Sequence, residues 1–546
     1  MVTEIDHQLD GQIPDLVITP VGVGSLAQAV VTHYKSNGRA TGVLAVEADA
    51  SPCLWKCLRN GKLEVQAAGT TIMAGMNCST VSSLAWPVLS AGLDACITVS
   101  DAEAHTSLQQ LESVSVSAGP CGGAALAALR HVSSNYSSDL GLTRDSIVVL
   151  LCTEAPRPYE EPFDVSVSDP VSLTQCLVRI DSTNPGSSGD DGPGEGAIAG
   201  FISAWLQHRD IETHWLEKTT GRPSVLGIVR GIGGGESLML NGHIDTVKSI
   251  SYDGNPFSGD IKNGKLYGRG SYDMKAGIAA SLIALAQIKV EKLHGDVLVA
   301  CVADEENLSF GTEELLDAGW RADGAIVCEP TGLDVVIAHQ GFVWFTVDII
   351  GTAAHGSRYD LGVDAICKAG QFLVKLDHYG RDILRRKAHP ILGTGSIHAS
   401  MIKGGEEASS YPALCTITGE RRTIPGDSVA SVEAGLRQIL DELSEAVPDF
   451  KYFLRMGFNR EPFEVAKDSA FVSNALGTIR QVLGRDVVCK AGFGWADSAL
   501  LADKGIPTFL IGVDGAGAHA DTEYASISSI KNLTDILTGI ALDFCK

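Results

Sequence analysis

The chain is poor in positive charge, in paired cysteines and in aromatic residues, and each shortage excludes something. It carries 42 Lys and Arg against 66 Asp and Glu, a net charge of −24, with no run of basic residues longer than Arg385-Arg386-Lys387. Phosphate backbones and anionic lipid surfaces are repelled by such a field, so neither a nucleic-acid nor a membrane partner is expected. No apolar stretch approaches the ~20 residues needed to span a bilayer, and Met1-Val-Thr-Glu-Ile-Asp6 lacks the basic-then-apolar pattern of an export signal. The thirteen cysteines are odd in number and never spaced C-x-x-C, which predicts free thiols in a reducing, cytoplasmic compartment. Aromatics make up only 6% of the chain while glycines number 60, a balance that suits an α/β enzyme with many turns.

At 546 residues the chain exceeds what one core serves, roughly 250–300 residues, so two or more domains are expected. Residues 1–150 hold only three lysines, Lys35, Lys56 and Lys62. The stretch 151–170 contains Pro156, Pro158, Pro162 and Pro170 and reads as an extended linker. From 171 onward strand-like and helix-like segments alternate. Val225–Val229 and Leu238–Leu240 are apolar runs joined through Gly231-Ile-Gly-Gly-Gly235, which reads as a hairpin-like turn; a phosphate loop would need a helix next, and strand residues follow instead. Met274, Ile278, Leu282, Leu285 and Ile288 repeat at helical spacing just after Asp273. The apolar runs Leu298–Val302 and Gly324–Cys328 lead into Asp304-Glu305-Glu306 and Glu329. In open α/β sheets ligands bind beyond the carboxyl ends of strands, so these carboxylates are expected at the productive edge.

His243-Ile-Asp245 places a histidine and an aspartate on one face of an extended segment, because side chains alternate with period two. Asp245 is then able to accept a ring N–H of His243 and fix its tautomer, as metal-site histidines require. A surface histidine and a turn aspartate are the competing view of the pair. Glu305 and Glu306 repel each other, and burial at a strand end needs compensating cations. Two divalent ions sharing Asp273 would neutralise the set, with His519 in Gly517-Ala-His519 as a second imidazole; a solvated acidic turn is the alternative for the adjacent glutamates.

His243-Ile-Asp245, Gly268-Arg-Gly-Ser-Tyr-Asp273-Met-Lys-Ala-Gly, Asp304-Glu-Glu306, Cys328-Glu329-Pro and Ala518-His519, in that order over about 171–546, resemble the signature segments of the M20 metallopeptidase family. The nearest branch is that of acetylornithine deacetylase and succinyl-diaminopimelate desuccinylase. The resemblance implies that Asp273 bridges two zinc ions, that His243 and Glu329 complete one site and Glu306 and His519 the other, and that Glu305 is the general base. Two histidines and three carboxylates suit Zn²⁺, with Co²⁺ as a substitute. It further implies a zinc-peptidase-like α/β catalytic domain over 171–331 and 446–546, with an inserted α+β dimerisation domain over 332–445. The expected substrate is a small N-acyl amino acid; a dipeptide or other short peptide is the alternative within the same chemistry. Ile349-Ile-Gly-Thr-Ala-Ala-His355-Gly matches the family's glycine-flanked histidine, which assists the oxyanion or substrate. Arg421-Arg422-Thr-Ile-Pro425 matches its Arg-x-x-Pro and assigns Arg422 to a substrate carboxylate, with a surface pair to Glu420 as the competing view. Ser409-Ser-Tyr-Pro412 departs from the family's Asn before Pro. Gly492-Phe-Gly-Trp-Ala-Asp497 resembles a late segment near the substrate, and a helix-capping aspartate explains it equally.

In the first 150 residues, Val17-Ile-Thr-Pro-Val-Gly22-Val-Gly24-Ser25 runs from strand through glycines into helix, a geometry that cradles phosphate. With Thr71-Ile-Met-Ala-Gly-Met-Asn77-Cys and Ser117-Ala-Gly-Pro-Cys-Gly-Gly-Ala124 it resembles, over about 14–132, diaminopropionate ammonia-lyase, a pyridoxal-phosphate enzyme of the tryptophan-synthase β fold. That chemistry needs a Schiff-base lysine, which in the family lies upstream of the glycine loop. None precedes Val17, and Lys35, Lys56 and Lys62 lie outside any matching motif. A partial, catalytically incomplete lobe is therefore expected. A pyridoxal lyase completed by another chain and a non-catalytic metal-binding protein are the rival classes.

Overall fold

The computed structural model describes the whole chain apart from residues 1, 37–39, 67, 137–138, 160–161, 163, 187–191, 387 and 493. Phe493 and part of the proline-rich stretch thus lie outside the described residues. The chain forms two compact units, Met1–Val167 and Ser168–Lys546.

In the first unit, strands Ala95–Val99, Gly42–Ala48, Leu16–Pro20 and Val148–Leu150 lie side by side in that order, all parallel. Alternation along Leu16–Pro20 serves two cores. Leu16 and Ile18 pack with Ala124, Ala125 and Ala128 on one face, while Val17 packs with Val30, Val31 and Tyr34 on the other. Gly24, at φ 94, turns the chain from the first strand into helix Ser25–Lys35.

The second unit is built on a mixed sheet whose centre is four parallel strands in the order Thr508–Leu510, Gly324–Val327, Leu238–His243 and Val297–Val302. These strands are buried along their length, and helix Ala276–Ile288 covers them with eleven buried residues. The hairpin expected through Gly231–Gly235 does not form. Ser224–Val229 pairs antiparallel with Val297–Val302, which lies between it and Leu238–His243. The glycines instead let the chain cross the strand ends: a Cβ on Gly231 would come within 2.3 Å of the His294 carbonyl oxygen.

A second, antiparallel sheet in the same unit runs Ser396–Gly404, Leu414–Thr423, Gly341–Ile350, Lys451–Arg460. Its inward residues, Val343, Phe345, Val347 and Ile349, pack on helices Ala365–Leu384 and Val429–Ala446 through Phe372, Leu436 and Leu440. Its fourth strand continues the sheet past residue 445. Among the described residues no helix is long and apolar enough to cross a membrane.

Candidate metal centre

All four central strands direct their carboxyl ends to one place. His243 is the last residue of its strand, Glu305 and Glu306 follow Val297–Val302, Glu329 follows Gly324–Val327, and His519 lies beyond Thr508–Leu510, in the hairpin loop between the short strands Gly515–Ala516 and Tyr524–Ser526. Asp273 arrives from the irregular turn Ser271–Lys275 that opens helix Ala276–Ile288. Gly270, at φ 77, makes that turn possible, since a Cβ there would stand 2.6 Å from Thr246 Cγ2.

The two carboxylate oxygens of Asp273 face different histidines. His243 Nε2 is 3.2 Å from Asp273 Oδ1 and 3.5 Å from Glu329 Oε1. His519 Nε2 is 3.6 Å from Asp273 Oδ2 and 3.1 Å from Glu306 Oε2. Two triads therefore share one residue, His243–Asp273–Glu329 and Asp273–Glu306–His519, each with donor atoms within 4.8 Å of one another. Glu305 and Tyr272 border the same cavity, of about 460 Å³, with Val336, Trp495 and Leu510 as its apolar wall. A larger cavity of about 690 Å³ lies at the amino ends of the strands, beside Glu236 and Asp323, away from both triads.

The electrostatics suit cations. Burial pushes Glu305 and Glu329 well above the usual carboxylate range, and neighbouring acids add to it: Glu329 for Glu305, Asp273 for Glu329. Burial also raises Glu306, against the pull of His519. Burial works against the charged form of His243, yet Glu329, Asp245 and Asp273 outweigh it and raise its pKa. A group of buried acids that the protein's own histidines only partly offset, arranged as two N/O triads with a common bridge, fits two divalent ions.

Asp245 does more than the sequence suggested. Its carboxylate is 3.6 Å from His243 Nδ1, whereas its backbone carbonyl is the nearer contact at 3.0 Å. The carboxylate accepts instead from the backbone N–H of Glu305 and Glu306, at 3.2 and 3.1 Å, and from Asn184 Nδ2 at 2.7 Å. It thus seats the turn that presents the paired glutamates. Sequence reasoning missed the support behind this turn. Asn184 also donates to Asp304 Oδ1, and Arg222 joins Glu195 at 2.6 and 2.7 Å to Asp304 at 2.7 Å, both acids fully buried. Asp304 itself takes φ 68.

His355 and Arg422 are not brought to this cavity. His355 is exposed beside Ser357 Oγ at 2.8 Å, and Arg422 Nε donates to Glu420 Oε1 at 2.7 Å, the pairing left open as an alternative. Gly492, Gly494 and Trp495 do border it, and Asp497 is buried behind them, accepting from Thr312 Oγ1 at 2.7 Å rather than capping its helix.

Parallel strands delivering two nitrogen–oxygen triads and a spare glutamate to one cavity define a metal-dependent hydrolase. Residues 239–543 match the model of peptidase family M20/M25/M40, and the chain belongs to that family. Acetylornithine deacetylase of Myxococcus xanthus is 30% identical over 335 residues, covering 59% of this chain and 84% of that protein. N-formyl-4-amino-5-aminomethyl-2-methylpyrimidine deformylase of Bacillus subtilis (strain 168) is 26% identical over 414 residues, covering 69% and 94%. Among solved structures, aminopeptidase PepT from Bacillus cereus ATCC 10987 superposes with a TM-score of 0.58 at 18% identity, over 70% of this chain and 99% of that one. The Bacillus subtilis YXEP protein, a dinuclear metal binding peptidase of the M20 family, gives 0.53 at 16% identity, over 69% and 97%. Residues 1–153 match the model described as pyridoxal-phosphate dependent enzyme.

Proposed function

We propose that the second unit is a dinuclear zinc amidohydrolase that splits the amide bond of N-acyl amino acids. The observation that carries this reading is the sharing of Asp273 between two triads beside an uncommitted glutamate, Glu305. Two zinc ions, or cobalt in their place, held by His243, Asp273 and Glu329 and by Asp273, Glu306 and His519, would supply the Lewis acidity that activates water and polarises the acyl carbonyl. Glu305 takes the proton of the attacking water and returns it to the leaving amine. Asp245 keeps the Glu305–Glu306 turn in register with His243, and the wall of Val336, Trp495 and Leu510 excludes water from one side of the substrate. The deacetylase and deformylase relatives favour an acyl amide over a peptide as the bond cut.

The chain is proposed to act as a cytoplasmic homodimer. Ser396–Gly404 ends its sheet as an exposed edge strand with Met401 and Ile402 at 66% and 55% exposure, a ready surface for a second copy, and the thirteen free thiols suit a reducing compartment. For the first unit we propose no lyase chemistry of its own. Lys35 ends the helix that begins at the glycine turn and is engaged with Asp94, and Lys62 pairs with Glu64.

The test is hydrolysis by zinc-loaded protein of N-acetyl, N-succinyl and N-formyl amino acids against dipeptides. Turnover of an N-acyl series is expected, abolished in Glu305→Gln. Dipeptide cleavage alone would transfer the assignment to a dipeptidase, and full zinc-dependent activity in Glu305→Gln would remove the assigned base.

A further inference from the structure

The two proposed metal positions are not built alike. His243 and Glu329 stand at the ends of adjacent core strands, whereas His519 sits in a loop at φ 60 with 58% of its side chain exposed. The loop is a hairpin tip whose second strand, Tyr524–Ser526, pairs with Lys265–Tyr267, and beyond that pairing a pair of fully buried side chains holds it against Asp273, each reaching into the other's segment. Glu523, four residues after His519, accepts from four donors of the Asp273 turn. Its Oε2 takes Arg269 Nη1 at 2.8 Å and the Gly270 N–H at 3.0 Å, and its Oε1 takes the N–H of Tyr272 at 2.9 Å and of Asp273 at 3.0 Å. Arg269 reaches back with Nη2 to the carbonyl of Ala520, the residue after His519, at 2.8 Å. Their exposures are 1% and 0%.

A wholly buried ion pair adds little net stability over an apolar pair, while it imposes geometry on both segments it joins. With all four lone-pair directions of Glu523 used by one turn, the clamp adds to that strand pairing in holding the His519 loop to one register against Asp273. We infer that Arg269 and Glu523 are positioning residues that selectively set the affinity of the Asp273–Glu306–His519 position, so that the two metal positions fill in sequence, the His243–Asp273–Glu329 position first. This rests on reading both triads as metal sites.

The test is titration of the metal-free full chain with Co²⁺, followed by visible absorption and by competition with a chromophoric chelator. Wild type is expected to take two equivalents. Glu523→Gln keeps the shape but turns an NH₂ toward backbone N–H groups, and should weaken the second equivalent roughly tenfold or more while the first changes less than about threefold. His519→Ala should lose the same equivalent and leave the same residual spectrum. Arg269→Lys, which keeps the buried charge but not both reaches, should fall between, and it carries the test if Glu523→Gln does not fold. Unchanged affinities in both variants, or equal weakening of both equivalents, would overturn the clamp while leaving the triads standing. Fewer than two equivalents in wild type would overturn the reading of the triads and the clamp with it.

Discussion

Arg222 offers the sharpest test of how the site is supported. Its guanidinium is the cation for two fully buried carboxylates, Glu195 through two hydrogen bonds at 2.6 and 2.7 Å and Asp304 through one at 2.7 Å. Arg222→Met keeps most of the volume and removes the charge. Stripping one partner from a buried ion pair costs about 3–5 kcal/mol, and here two acids lose their shared cation and keep only neutral donors, which points to the upper half of that range. A unit of roughly 380 residues unfolds with an entropy near 0.8 kcal/mol/K, which converts about 4–5 kcal/mol into a fall of about 5–6 °C in the unfolding temperature. The pH dependence has a definite sign. Burial already raises Glu195 above 4.5, and Arg222 acts against it. Without Arg222 it rises further, and a raised carboxyl stabilises the fold below its unfolded value and loses that contribution as pH climbs through the folded one. The Glu195 share of the deficit should thus shrink toward pH 4.5, so the total is smaller there than at neutral pH. Calorimetry of wild type and variant across that range measures it. A loss below about 1 kcal/mol at pH 7.5, or a deficit that grows on acidification, would falsify the account of Arg222 as the counter-ion of this pair.

Three further outcomes are expected. Burial holds His339 down to about 4, with Nε2 at 2.8 Å from Ser498 Oγ, so it folds neutral. A depressed folded pKa gives stability that is present above the unfolded 6.5 and lost as pH falls toward 4, about 3 kcal/mol over that window, and urea unfolding of His339→Gln should show a shallower acid loss than wild type. Gly277→Ala should cost about 1–3 kcal/mol by the same assay, because its Cβ would stand 2.3 Å from the Cys328 carbonyl oxygen, and an unchanged midpoint would mean that the helix and strand yield freely. Met401→Lys with Ile402→Glu should convert a dimer to a monomer in sedimentation without loss of folded signal; a dimer that survives both charges does not use this edge.

The parts of the site that sequence made legible are those where chemistry coincides with the end of an apolar run. His243, Glu305, Glu306 and Glu329 each terminate or follow a buried strand, and parallel pairing of neighbouring strands brings such ends together whatever the intervening length. Asp273 was legible through the helical period that begins one residue after it. Strand order was not: Val225–Val229 and Leu238–Leu240 are neighbours along the chain, yet Val297–Val302 inserts between them, and no local pattern records which non-local partner wins. His355 and Arg422 matched motifs, but a motif fixes a residue type and a local turn, while the distance to the cavity depends on how the antiparallel sheet is carried.

The support behind the proposed ligands escaped notice for a related reason. Asn184, Glu195, Arg222, Arg269 and Glu523 sit outside the apolar runs, and their meaning appears only when partners up to 254 residues away arrive. Charge was the one available signal, since a buried acid needs an answering donor and each ligand turn carries more acids than its own sequence can satisfy. Asp245 needs three donors and receives them from Asn184, Glu305 and Glu306; Glu523 needs four and draws them all from the Asp273 turn. The structure thus divides the labour: strands set where the donor atoms arrive, and buried carboxylates, saturated by backbone N–H groups of the ligand turns, set how those turns face one another. On that division, substitution of a proposed ligand should remove an equivalent of metal outright, whereas substitution of a supporting carboxylate should change an affinity and leave the stoichiometry recoverable at high metal concentration.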